Sequence, residues 1–315
     1  MYSKMEFLVI AFVATIVFVA EYFHMHDIIF PEIAALAFGA WVMETRPWSG
    51  PVWTIWVSPT VGAITGVIIL SLMPSSFTTM LLVALVFVLV ELKFLRSSMS
   101  PSISAAILPI LINAKGLVYP VSVCLTTGAV ALVAYHKEKQ HAGTEGMPRV
   151  RGGEESSHRG QLTKKCFHYG KILLSVFAIT LLADKANALY IVSPPLIVVF
   201  FELIEPQSIF PKDASKKLFF MLTCCALEGM FWVAIIVHAC SGPRWLAAGF
   251  SMATAISLSR IFRLAPPPAF ALALLPLILP FKTLYVYPAS VVVGAFLFIA
   301  LATHLFDTKS VSPLR

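Results

Sequence analysis

Apolar runs that open on proline and end after about a dozen residues constrain this chain more than any other feature. IVSPPLIVVFFELIEP, residues 191–206, is the clearest, and others begin at Pro31, Pro101 and Pro266. A helix that crosses a membrane needs roughly 20 apolar residues. These runs are too short for that, and too apolar for a soluble surface. The chain has 315 residues, 58% of them hydrophobic and 12% charged, and that charge is about half the share a soluble domain carries. Lipid is therefore the expected solvent. Met5–Phe23 is longer than the apolar core of a signal peptide and lacks its small-residue cleavage site, so it reads as a retained first span.

Breaks at glycine, proline and charge divide the apolar sequence into twelve segments. They lie near 5–23, 28–43, 52–73, 78–95, 101–114, 118–136, 171–189, 192–205, 217–240, 245–262, 265–280 and 284–305. Residues 137–165, rich in Gly, Ser and charge and without apolar periodicity, read as a flexible basic linker. The expected organisation is a membrane repeat over 1–136, this linker, and a second membrane repeat over 166–315. If all twelve segments cross, nineteen of the 23 Lys and Arg residues fall on one side, with both termini and the linker. The positive-inside tendency makes that side cytoplasmic, and the plasma membrane is the expected location. The net charge of +7 is thereby a topology signal, and no aromatic–basic motif argues for nucleic acid.

The two halves resemble each other. SMSPSISAAILPILINAKGLVYPVSV (98–123) returns as RLAPPPAFALALLPLILPFKTLYVYPASV (263–291), each with a proline-opened run, an internal Leu-Pro, a lysine and a Tyr-Pro. IIFPEIAALAFGAWVMETRPW (28–48) likewise returns as IVSPPLIVVFFELIEP (191–206). The expected fold is an all-α polytopic membrane protein of two parallel six-segment repeats. A finer period is visible: Glu21, Glu91 and Asp184 each precede a proline (Pro31, Pro101, Pro194) by ten residues, whereas Leu258 stands ten before Pro268. Three segments per quarter would make the quarters nested inverted units, each with a short proline-started helix, as in several transporter architectures.

SPPLIVVFFELIEPQSIFPKDASKKLFFMLTCCALEG (193–229), followed by RIFRLAPPPAFALALLPLIL (260–279), resembles the HPP family of integral membrane proteins, named for a His-Pro-Pro motif. Here that motif reads Ala265-Pro266-Pro267, without the histidine. The resemblance covers the C-terminal half directly and the N-terminal half through the duplication. Some family members are associated with nitrite transport, which implies a small anion as the solute.

Proline suits the first turn of a helix, where its missing N–H is not needed. The remaining first-turn N–H groups carry the positive end of the helix dipole and favour an anion or a carboxylate-bearing solute. Ser100, Pro101, Ser193, Pro194, Pro266 and Pro267 are therefore the expected substrate-binding residues, with the two serine hydroxyls as further hydrogen-bonding groups. Glu32 stands at one such start, where its own carboxylate would hold the anion position. Glu21, Glu91, Asp184 and Glu228 are the expected coupling groups, because a carboxylate in an apolar helix is costly unless it is used and can carry a proton. Glu202 and Glu205 lie late in a short run and are expected to reach solvent. Gly62 and Gly66 form a GxxxG pair suited to helix packing.

Five cysteines (Cys124, Cys166, Cys224, Cys225, Cys240) show no metal-ligand spacing. No nucleotide loop, HExxH or GxSxG motif occurs, so neither a cofactor nor an enzyme is expected. The leading reading is a secondary transporter of a small solute, coupled to protons or cations. A passive channel, and a membrane scaffold or subunit of a larger complex, stay open beside it. The partners expected are the lipid bilayer and the solute, and self-association into a homo-oligomer is compatible with the sequence.

Overall fold

A computed structural model describes residues 2–142, 158–204 and 214–306, in which every regular element is helical. The helices of the first half are α1 (Lys4–Tyr22), α2 (Glu32–Ala37), α3 (Thr54–Leu72), α4 (Phe77–Phe94), α5 (Pro101–Ile112) and α6 (Val118–Ala142). Those of the second are α7 (His158–Lys185), α8 (Pro194–Ile204), α9 (Ser215–Trp232), α10 (Arg244–Phe262), α11 (Pro267–Leu274), α12 (Phe281–Leu284) and α13 (Tyr287–Leu305). Seven helices, namely α1, α3, α4, α6, α9 with its π-helical continuation Val233–Ala239, α10 and α13, are long and apolar enough to cross a membrane. The protein is thus an all-α membrane protein.

The proline-started segments form short helices of 6, 12, 11 and 8 residues: α2, α5, α8 and α11. Local chemistry ends them early. α2 runs into a π-helical turn at Phe38–Val42, and α11 into a tight 3₁₀ turn at Leu275–Ile278. α5 stops where Asn113 takes the left-handed conformation, and its N–H bonds the Pro109 carbonyl, a common asparagine C-cap. Every residue of α2 and α11 is buried, as are Pro101–Ile110 of α5 and all of α8 except Leu203. A helix apolar on all faces belongs inside a bundle. The long helices are buried only in part, and Leu72 and Phe94 at the ends of α3 and α4 are 77% and 87% exposed.

The chain divides into two compact units, Met1–Val42 with Tyr190–Arg315, and Met43–Leu189. The sequence halves, 1–136 and 166–315, are therefore not the packing units. In the first unit α1 packs along α10, and in the second α4 packs on α7, so the opening helix of each half lies against the fourth helix of the other. Helix also runs into the segment read as a linker, through Ala142 on one side and from His158 on the other. Lys137 Nζ donates to the Met43 carbonyl (2.9 Å) and Arg46 pairs with Glu138 (2.8 Å), which fixes the start of that extension. The middle of the segment, like Glu205 and the C-terminal residues from 307, lies outside the described residues.

The internal prolines impose a second constraint. A helical proline has no N–H to give the carbonyl four residues earlier, and in lipid no water replaces it. Pro109 in α5 orphans the Ala105 carbonyl, and Pro276 just after α11 orphans that of Leu272. Tyr119 donates its hydroxyl to Ala105 O (2.9 Å) and Tyr287 donates to Leu272 O (2.8 Å). Both tyrosines are fully buried and belong to the repeated Tyr-Pro pairs. The next carbonyl along each short helix, Ala106 or Ala273, lies where a Cβ on Gly66 of α3 or Gly229 of α9 would overlap it. Only glycine permits that backbone approach.

Replacing Tyr119 or Tyr287 by Phe strands a buried carbonyl and should cost about 1–3 kcal/mol. Pro109→Ala returns an N–H to Ala105 O, so adding it to Tyr119→Phe should recover stability. Thermal unfolding in detergent measures the cycle; losses that simply add would rule out the shared carbonyl.

Candidate functional site

Half-buried carboxylates occur in each unit and divide into two kinds. Glu21, at the end of α1, accepts from the backbone N–H of Arg244, the first residue of α10 (3.1 Å). Asp184, at the end of α7, accepts from the hydroxyl of Thr78 in the first turn of α4 (3.1 Å). Each acid therefore sits at the positive end of a neighbouring helix, where a carboxylate is stabilised. Both were expected as coupling groups; the contacts they make here are those of acids at helix ends. At the opposite end of the α1–α10 pair, Glu6 closes a capping box with Ser3 and pairs with Arg260.

Glu91 and Glu228 have no such compensation. Glu91 Oε1, on α4, accepts from Ser58 of α3 (2.7 Å), which in turn accepts from Ser102 of α5 (2.8 Å). Glu228 Oε1, on α9, accepts from Ser251 of α10 (3.1 Å), whose hydroxyl also lies 2.9 Å from Ala273 O of α11. The second oxygens, Glu91 Oε2 and Glu228 Oε2, are buried without a hydrogen-bond partner among the described residues. Each site thus joins one carboxylate, serine hydroxyl and a short helix. Glu32, the first residue of α2, and Glu228 both act electrostatically on the buried Tyr287. Cys225, one turn before Glu228, is fully buried and a free thiol. No group of three or more His, Cys, Asp or Glu side chains suited to a metal occurs among the described residues.

The short-helix starts do not present the free N–H donors expected of them. Pro194 and Pro195 have none, and Leu196 and Ile197 both donate to Ser193 O (2.9 and 3.4 Å). In α5, Ser102 N donates to Met99 O and Ile103 N to Ser100 O (3.1 and 3.0 Å). At α11, Pro266, Pro267 and Pro268 lack the group, and Ala269 N donates to Pro266 O (3.0 Å). Tight first turns and proline together remove the positive cluster that was to hold an anion. The Ser100 hydroxyl accepts from the Trp48 indole N–H (3.2 Å), while the Ser193 hydroxyl is fully buried and unpartnered among the described residues. Pro101 and Pro194 are likewise buried in their helices. Glu202, expected at solvent, is only 9% exposed, because every residue of α8 except Leu203 is buried.

Sequence reasoning missed Ser58, Ser251 and the two tyrosines as partners. Single serines in apolar runs carry no pattern, but the repeated Tyr-Pro did mark Tyr119 and Tyr287. It also missed His26 and Arg244. Arg244 Nη1 donates to a His26 ring nitrogen (2.9 Å) and to Leu277 O (3.2 Å). Partial burial of the imidazole, and then the guanidinium beside it, hold His26 below the ordinary histidine pKa. A lowered folded-state pKa stabilises the fold above the unfolded value, and that stabilisation is lost as pH falls through the folded value.

Two outcomes follow from these contacts. Glu21→Ala and Asp184→Ala should each cost about 0.5–2 kcal/mol, the range for a lost helix cap, while Glu21→Gln, still an acceptor, stays near wild type in thermal unfolding. Acidification below the ordinary histidine range should lower the melting temperature of the wild type more than that of His26→Gln; equal slopes would remove the His26 contact from the account.

Compared with family models, with curated proteins and with solved structures, the chain matches none.

Proposed function

We propose that the protein is a secondary transporter of a small solute, with protons coupled through Glu228 and Glu91. The observation that carries this reading is the pair of half-satisfied carboxylates, each linked by serine to a short buried helix. At Glu228 the Ser251 hydroxyl has one proton and two acceptors, Glu228 Oε1 and Ala273 O. With Glu228 ionised, one acceptor goes without. With Glu228 protonated, its own O–H donates to Ser251, and Ser251 donates to Ala273. Gaining or losing a proton thus changes how tightly α11 is held to α9 and α10, which is the kind of two-state contact that coupling requires. The π-helical turns at Phe38–Val42 and Val233–Ala239 add helix irregularities of a sort often found at functional positions.

The same reading takes the halves as two copies of one six-segment unit in the plasma membrane, with termini and linker cytoplasmic. The matched Tyr119–Ala105 and Tyr287–Leu272 bonds, and the matched Gly66 and Gly229 approaches, support the duplication. The proline pattern and Ala265-Pro266-Pro267 support a place in or near the HPP family.

Reconstituted vesicles test the proposal. Solutes that raise the melting temperature in a screen should be taken up by counterflow, with a rate that depends on pH. Glu228→Gln should fold, because its amide still offers an acceptor to Ser251, but lose that pH dependence, whereas Glu202→Gln should retain it. Uptake by single-channel conductance without counterflow would instead make the protein a pore.

A further inference from the structure

A cavity of about 340 Å3 lies beside the 3₁₀ turn that ends α11. Its walls are of two kinds. Val233 and Val237 from the π-helical end of α9, the strip 276–280 and Phe281 make it apolar. Arg244, His26 and His238 supply the polar groups. The size falls within the range of small-molecule sites, as does an apolar lining with a few convergent polar groups.

Arg244 decides what such a cavity accepts. Two other arginines are paired with carboxylates, Arg46 with Glu138 and Arg260 with Glu6. Among the described residues no carboxylate lies within ion-pair distance of the Arg244 guanidinium. Its Nη1 is held by two neutral acceptors, the His26 ring and Leu277 O, and Nε and Nη2 make no hydrogen bond among the described residues. Glu21 binds the Arg244 backbone N–H, not the side chain. The guanidinium is therefore fixed in direction at the cavity wall without an ion pair of its own among the described residues, although Glu21 and Asp27 act electrostatically on the neighbouring His26 ring. A partly enclosed, oriented guanidinium favours a carboxylate, which it can bind through two parallel hydrogen bonds. His238, with its ring 4.4 Å from that of Phe281, lines the same cavity and adds an imidazole to its polar groups.

We propose that this cavity binds an organic monocarboxylate, its carboxylate on Arg244 and its apolar body against Val233, Val237 and Phe281. The apolar walls separate this ligand class from a small inorganic anion, which would leave them in contact with water. The site also has a route to the proposed coupling group. Leu277, held by Arg244, is four residues from Ala273, held by Ser251 beside Glu228. The proposal names the solute class of the transport reading and rests on that reading for movement across the membrane, but not for binding.

Isothermal titration of the purified full-length protein in detergent, with benzoate, benzamide and nitrate, separates the parts. Benzoate should bind saturably, and the neutral benzamide and the small nitrate at least about tenfold more weakly, as expected when a charged hydrogen-bonded contact or the apolar contact is lost. Arg244→Gln should weaken benzoate by about the same factor. Val237→Trp fills the cavity while leaving Arg244 and its acceptors in place, and should abolish binding even if Arg244→Gln fails to fold. Nitrate binding as tight as benzoate, unchanged affinity in Val237→Trp, or no benzoate binding to the wild type would each overturn the site. Benzoate binding without benzoate counterflow keeps the site and removes transport; counterflow of another solute without benzoate binding keeps transport and removes the site.

Discussion

The backbone carbonyls freed by proline inside buried helices set the terms for much of the remaining packing. Water can satisfy such a group in a soluble protein, and lipid cannot. An unmet carbonyl costs about as much as the desolvation of a polar group, roughly 1–3 kcal/mol, which is large beside the total stability of a domain. Ala105 and Leu272 are therefore met by tyrosine hydroxyls that must be delivered to depth by α6 and α13. Tyrosine suits this task because its ring fills apolar space while its hydroxyl reaches a partner. The carbonyls one residue further on are covered by close approach of glycine, and at Ala273 also by the Ser251 hydroxyl. Helices α3, α6, α9 and α13 are thus positioned by what two short helices lack.

This requirement also explains why the short segments are buried nearly throughout while the long helices are buried only in part. In lipid, apolar contact alone does not drive helices together, because lipid tails are equally apolar. Close backbone approach, hydrogen bonds and small residues do that work, and they concentrate where proline breaks the helix. Leu72 and Phe94 can remain exposed on the long helices because exposure there means contact with lipid.

The positions of the long helices were legible because uninterrupted hydrophobicity over a spanning length has few alternatives. α3 and α10 fall within two residues of the expected segments 52–73 and 245–262. The short helices were legible too, since proline fixes their starts. What happens at those starts was not. Proline removes one donor visibly, but whether the next N–H is free depends on a 3₁₀ turn, and Leu196 N bonding to Ser193 O leaves no trace in residue type. The unit boundaries were hidden for a related reason. Sequence similarity pairs α1 with α7, whereas packing sets α1 against α10, and only tertiary contacts such as Glu6–Arg260 record that choice.

Four acids in similar apolar settings end in two roles, and the difference lies in what faces them. A carboxylate at a helix N-terminus gains about 0.3–1 kcal/mol from the dipole, and up to about 2 when partly buried. It also receives a backbone or first-turn donor, so Glu21 and Asp184 are stabilised in place. Glu91 and Glu228 lie within helices whose own N–H groups are already engaged in the helical ladder. They find one serine each and no cation among the described residues. Burying an ionised group so poorly compensated costs several kcal/mol, and the group is commonly neutralised instead. On the proposed transport reading, a serine placed between a carboxylate and a backbone carbonyl, as Ser251 is, converts the presence of one proton into a choice of helix contact. On that reading the carboxylates with one unmet oxygen, Glu91 and Glu228, and not those anchored at helix ends, are the ones whose protonation the fold can use.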